Sequence, residues 1–76
     1  MVNIHTVLNK RGHGAILDLR EVGVGETSYV LLTTGSGDPK DTKAIIEVCK
    51  TVKAKQLFNS LLHTLITNDY KLIKAQ

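Results

Sequence analysis

The segment V-K-A-K-Q-L-F-N-S-L-L-H-T-L-I-T, residues 52–67, decides the fold, because its apolar side chains recur at every third or fourth position. This spacing places them along one face of a helix, so the segment is predicted to be an amphipathic α-helix. We expect Leu57, Leu61 and Leu65 to be buried against the rest of the domain. The full apolar stripe consists of Ala54, Leu57, Phe58, Leu61, Leu62, Leu65 and Ile66.

The first half of the chain has a different pattern, in which β-rich runs alternate with glycine-rich turns. Residues 2–9, 15–22 and 27–34 each concentrate apolar side chains on alternate positions, as half-buried strands do. Turn residues separate these runs at short and even intervals. The pattern therefore predicts three strands of an antiparallel meander.

Residues 42–50 fit either a fourth strand or a separate helix. The preceding D-P-K-D at residues 38–41 is typical of a helix start, with an acidic cap and proline at the first position, and it serves equally well as a turn. If residues 42–67 formed one straight helix, the two halves would bury nearly opposite faces. The chain is therefore expected to break near residues 50–53.

We favour a strand at residues 42–50, because Ile45, Ile46 and Val48 are β-branched. A short final strand is predicted at residues 70–74. The expected fold is α+β in a single domain over residues 1–76, namely an antiparallel β-meander of three to four strands, one amphipathic helix packed on one face, and a short C-terminal strand.

Composition excludes several classes of protein. With 42% hydrophobic and 22% charged residues, the 76-residue chain has the composition of a globular domain and not of a disordered one. The longest apolar run, residues 29–32, is too short to span a bilayer. A single cysteine excludes an intramolecular disulfide. We expect a cytoplasmic protein that does not interact with membranes.

The sequence offers no convincing site for catalysis, a metal or a cofactor. Gly-x-Gly occurs at residues 23–25 and 35–37, but neither continues into a nucleotide-binding motif, so both are interpreted as turns. The soft metal ligands lack the short spacing of zinc sites, and no nucleophile is accompanied by a base. These ligands are His5, His13, Cys49 and His63. We therefore expect a protein that is not an enzyme and holds no metal or cofactor.

The net charge of +3 arises in the second half, where residues 39–76 contain seven lysines against three carboxylates. Three of these lysines surround the expected helix start, where positive side chains oppose the helix dipole unless an anion binds there. The final strand would extend the same basic surface. The candidate anion- or partner-binding residues are Lys50, Lys53, Lys55, Lys71 and Lys74.

A second candidate surface is the sheet face that the helix does not cover. Tyr29 and Leu31 alternate with the core residues of their strand, and with Ile45 they would form an exposed apolar interface. Such a face predicts a homodimer or contact with another protein.

The leading functional prediction is a small non-catalytic binding module that acts on a protein partner, as adaptors and inhibitors do. The alternative is a nucleic-acid-binding protein that uses its lysine-rich second half. Only three aromatic residues are present, which disfavours stacking on single strands.

Overall fold

The computed structural model describes residues 3–23 and 26–76. Val2, where the first strand was predicted to begin, and Val24 and Gly25 of the second predicted turn lie outside the described residues. Five strands form one antiparallel sheet in the order β4-β3-β2-β1-β5, and one helix packs against it. The elements are β1 (Asn3–Lys10), β2 (His13–Val22), β3 (Thr27–Gly35), a 3-10 turn (Pro39–Asp41), β4 (Lys43–Lys50), α1 (Thr51–Thr67) and β5 (Lys71–Ala75).

The α+β prediction is confirmed, including the fourth strand and the short C-terminal strand. The break expected near residues 50–53 lies between Lys50 and Thr51, where β4 passes directly into α1. The acidic cap at Asp38 starts only a single 3-10 turn, in which the Asp38 carboxylate accepts a hydrogen bond from the Lys40 backbone N–H at 3.0 Å. Extended backbone resumes at Thr42, so residues 43–50 form a strand.

The turn between β1 and β2 consists of only two residues, Arg11 and Gly12, both with positive φ (48° and 87°). Two successive residues of this kind are typical of a type I′ turn, whose twist matches that of the strands on either side. The turn pairs Lys10 with His13 and fixes the register of the hairpin. Strands β2, β3 and β4 each pair with the strand that precedes them in the chain, and together with β1 they form the meander.

One face of the sheet, here called the helix face, is covered by α1; the other is called the open face. Directly opposed residues of antiparallel strands share a face, so Thr6, Leu17, Leu32 and Ile45 form one row across the helix face. The buried core consists of Leu8, Ala15, Leu17, Leu19, Val30, Ala54, Phe58 and Leu65. It lies between α1 and the central strands.

The buried side of α1 differs in part from the prediction. Leu65 is buried as expected, but Leu57 and Leu61 are only half-buried, and the other fully buried helix residues are Ala54 and Phe58. The apolar stripe is wider than the contact with the sheet, because α1 packs on β2, β3 and β4 with its flank turned towards the β4 edge. Leu57 and Leu61 lie on that flank.

The helix ends in a Schellman motif that reverses the chain towards β5. The Tyr70 N–H donates to the Leu65 carbonyl, and the Asp69 N–H donates to the Ile66 carbonyl, at 3.0 and 3.1 Å. Asp69 occupies the left-handed region, with φ at 69°. Tyr70 then packs against the core, and β5 pairs with β1 at the edge of the sheet opposite β4.

The different burial of two helix residues predicts different effects on stability. Phe58 is 5% exposed, so Phe58→Ala is expected to lower the free energy of unfolding by about 3–5 kcal/mol. Leu61→Ala removes a half-buried side chain and is expected to cost less than about 2 kcal/mol. Urea denaturation at equal protein concentration measures both. Equal losses would contradict the orientation of α1.

Candidate functional site

Strand β4 exposes three large aliphatic side chains at an edge of the sheet. Ile45, Ile46 and Val48 are 67%, 57% and 61% exposed. Seven of the eight residues of β4 are exposed, and Cys49 is half-buried. A free edge with apolar side chains is a surface on which strands of other chains pair readily.

One row across the open face changes from polar to apolar on approaching β4, whereas the neighbouring row of Val7, Ile16, Thr33 and Ala44 does not. In the row that changes, His5 and Asp18 of β1 and β2 are followed by Leu31 of β3 and Ile46 of β4. Asp18 is largely buried, and its carboxylate forms a hydrogen bond of 2.5 Å with Nδ1 of His5. The apolar half of the row therefore lies at the β4 edge.

Of the three residues of the predicted sheet-face interface, Tyr29 and Leu31 lie on the open face, whereas Ile45 lies on the helix face. Whether the open face is an interface stays a prediction. Tyr29 pairs with Val48 and Leu31 pairs with Ile46, so these four side chains share the open face. Ile45 pairs with Leu32, which places it on the helix face. Because side chains alternate along a strand, Ile46 and not Ile45 lies beside Leu31 on the open face.

On the helix face, an apolar groove of about 330 Å³ runs between α1 and the β4 edge. Ile45 contributes from β4, and the half-buried Leu57 and Leu61 contribute from α1. Glu47 and Lys53 add one charge of each sign. The lining residues are Val30, Leu32, Ile45, Glu47, Cys49, Lys53, Leu57 and Leu61. Apolar surface thus reaches the β4 edge from both faces of the sheet.

Backbone hydrogen bonds show which residues of β4 point away from the sheet. The Thr51 N–H donates to the Glu26 carbonyl at 2.9 Å, and these two residues continue the register that pairs Ser28 with Cys49. In an antiparallel ladder, hydrogen-bonded pairs alternate with pairs that are not bonded. The odd-numbered residues of β4 therefore bond to β3.

The same alternation follows independently from the β1–β2 turn. A two-residue turn closes on a hydrogen-bonded pair, here Lys10 with His13, and the pattern then alternates across β2 and β3. His5 agrees with it, since both its N–H and its carbonyl bond to Gln76 on the other side of β1, each at 2.9 Å. At the β4 edge, the outward N–H and C=O groups belong to Ala44, Ile46 and Val48.

The opposite edge of the sheet is protected in ways that β4 is not. Strand β5 has five residues, two of them Lys71 and Lys74, and its register with β1 is interrupted between Val7 and Leu8. Short length, lysines and irregular pairing all discourage a further strand. In contrast, β4 has eight residues, an uninterrupted register with β3, and lysines only at its two ends, Lys43 and Lys50.

The five candidate lysines do not form one basic surface, contrary to the prediction. Lys71 and Lys74 lie on β5, at the opposite edge of the sheet from the β4–α1 junction. Four strand spacings of about 4.8 Å separate the two edges. Sequence reasoning missed this separation because the strand order brings β5 beside β1 rather than beside β4.

The three lysines around the helix start also point in different directions. Lys50 ends β4 on the open-face parity, whereas Lys53 lines the groove on the helix face. Lys55 is exposed and lies two residues beyond Lys53, about 200° further round the helix. Whether any of them contacts an anion stays a prediction.

No group of three or more metal-ligating side chains comes together among residues 3–23 and 26–76. Cys49 is half-buried and borders the groove, opposite Ser28 on β3. Within the same described ranges, no helix has the length and hydropathy needed to cross a membrane.

Comparison with protein-family models, with curated proteins and with solved structures finds no match to this chain.

The outward direction of the Val48 N–H predicts how proline is tolerated in β4. Val48→Pro removes a donor that does not bond to β3, whereas Glu47→Pro removes the donor that bonds to Val30. Glu47→Pro is therefore expected to lower the free energy of unfolding by about 1–3 kcal/mol more than Val48→Pro. Urea denaturation of dilute protein measures the difference. A greater loss for Val48→Pro would reverse the assigned alternation.

Proposed function

We propose that the protein is a non-catalytic protein-binding module, and that its partner adds an extended strand to β4. One observation carries the proposal: the outward N–H and C=O groups of Ala44, Ile46 and Val48 are flanked on both faces of the sheet by exposed apolar side chains. Backbone groups at an edge supply affinity in strand addition, and alternate side chains supply specificity. Such a module acts as an adaptor or inhibitor, and we place it in the cytoplasm.

The two faces define what the added strand contains. Alternate side chains of the partner lie beside Ile46 and Val48 on the open face, and the intervening ones lie beside Ile45 at the groove. Apolar residues at both sets of positions bury the surfaces that β4 leaves in water. The partner segment is therefore apolar on both faces at its centre.

Charge defines the ends of the partner segment. Lys43 and Lys50 stand at the two ends of β4, and Lys53 stands at the groove. Acidic residues on either side of an apolar centre complement these lysines, and opposite charges across strands stabilise pairing by about 0.2–1 kcal/mol each. The basic surface predicted from the sequence thus contributes to partner choice on the β4 side alone.

Nucleic acid is the less favoured ligand. The five candidate lysines are divided between the two edges of the sheet, so they do not form a continuous basic surface for a nucleic-acid backbone. Of the three aromatic side chains, Phe58 is in the core and Tyr70 packs against it. Only Tyr29 lies on the open face, where it pairs with the aliphatic Val48.

Selection from a library of short random peptides tests the proposal. The protein is immobilised at low density, so that copies cannot meet, and bound peptides are recovered and sequenced. We expect enrichment of extended peptides with an apolar centre and acidic ends. Bound peptide should slow hydrogen exchange at the Ala44, Ile46 and Val48 amides, because these N–H groups become donors to the added strand.

Two matched variants provide the controls. Ile46→Lys places a charge at the centre of the β4 edge and should abolish peptide binding, whereas Ile73→Lys alters an equally exposed residue of β5 and should not. A selection that recovers no peptide distinguishing wild type from Ile46→Lys would refute the proposed function. Protection confined to the β5 edge would refute it as well.

A further inference from the structure

We infer that the partner at β4 is a second copy of this chain, paired antiparallel through β4 of each protomer to form one continuous ten-stranded sheet. The inference rests on the proposed function, since it identifies one occupant of the same edge. The β4 strand of a second copy has the apolar centre of the proposed partner segment, but its ends are lysines rather than acidic residues. Three observations support it: the match of outward backbone groups, the apolar side chains that meet on the open face, and the surface area left exposed.

The backbone match follows from the alternation along β4. A two-fold axis perpendicular to the sheet keeps both open faces on the same side and opposes residues of equal parity. With Ile46 opposite Ile46 of the second copy, Ala44 falls opposite Val48 and Val48 opposite Ala44. All three outward residues then form hydrogen-bonded pairs, so each donates and accepts across the interface.

The side chains agree with this register. On the open face, Ala44, Ile46 and Val48 oppose one another, with Lys50 beside them at each end, and they extend the apolar surface formed with β3 across the two-fold axis. On the helix face, Ile45 is opposed by Glu47 of the second copy. Each Glu47 has Lys43 of the other copy as one diagonal neighbour and Glu47 of the other copy as the other. Opposite charges in such positions stabilise the pairing.

The neighbouring registers are poorer. Centring the pair on Glu47 places two glutamates directly opposite each other, which is destabilising. Centring it on Ile45 opposes Val48 to Thr42, which lies before the first residue of β4. The register centred on Ile46 keeps all three outward residues opposite residues of β4 and avoids directly opposed glutamates.

The chain exposes more surface than a folded monomer of its mass usually does. The chain exposes 5353 Å² to solvent, whereas a folded monomer of its mass is expected to expose about 4,600 Å². The excess of about 750 Å² belongs to the whole molecule, and the exposed Ile45, Ile46 and Val48 at the β4 edge contribute to it.

Size-exclusion chromatography with light scattering measures the mass of the protein over a range of concentrations and tests the pairing. Wild type is expected at twice the chain mass of 8.3 kDa. Ile46→Lys, which opposes two like charges at the axis, is expected to halve the measured mass while the far-ultraviolet circular dichroism stays unchanged. The control Ile73→Lys on β5 should keep the dimer mass.

Cross-linking tests the register without a destabilising charge. In a Cys49→Ser background, Ile46→Cys brings two thiols together at the axis, where hydrogen-bonded pairs have Cα atoms about 5.5 Å apart. That distance lies within the range of disulfides. We expect covalent dimers on mild oxidation at a rate at least about tenfold above that of Ile73→Cys in the same background.

The two proposals fail in different ways. A wild-type protein that stays monomeric up to millimolar concentration would overturn the dimer, even if the immobilised protein still selects peptides at β4. A dimer that Ile46→Lys leaves intact, with equal cross-linking of the Ile46→Cys and Ile73→Cys variants, would overturn it too. Failure of the peptide selection alone would remove the general strand-binding function and leave self-pairing.

Discussion

Backbone hydrogen bonding alternates from residue to residue across the uninterrupted pairings from β1 to β4, and this alternation decides which backbone groups the β4 edge exposes. The two-residue turn at Arg11 and Gly12 sets its phase at one end, and the Thr51–Glu26 bond reports the same phase at the other. Because the registers from β1 to β4 are uninterrupted, no strand can change phase alone. Strand β4, at the edge of the sheet, must therefore turn alternate backbone groups to solvent, and Ile46 is among the residues that do so.

The sequence predicts the elements well where one periodicity dominates. Residues 52–67 have a helical period throughout, and the structure has α1 at Thr51–Thr67. The β-branched residues of 42–50 likewise indicate a strand, and the acidic cap before them supports only one 3-10 turn. Local preference and tertiary structure agree in these segments, so one amino-acid sequence is sufficient to assign their secondary structure.

The candidate site is predicted less well, because it depends on how elements are placed relative to one another. Ile45 and Ile46 are adjacent and chemically identical, and only the pairing with Leu32 and Leu31 assigns them to opposite faces. Leu57 belongs to the helical stripe by periodicity, yet its burial depends on where α1 crosses the sheet. The separation of the lysines requires the strand order, which is not encoded in any local pattern.

The direct passage from β4 into α1 has a mechanical consequence. No loop residue separates Lys50 from Thr51, and the Ser28 and Thr51 hydroxyls are joined by a hydrogen bond of 2.8 Å at this junction. The first residue of α1 is therefore held both by the chain of β4 and by a side-chain hydrogen bond to β3. With no loop before it and with this hydrogen bond to β3, the start of α1 cannot shift without disturbing both edge-side strands, β3 and β4.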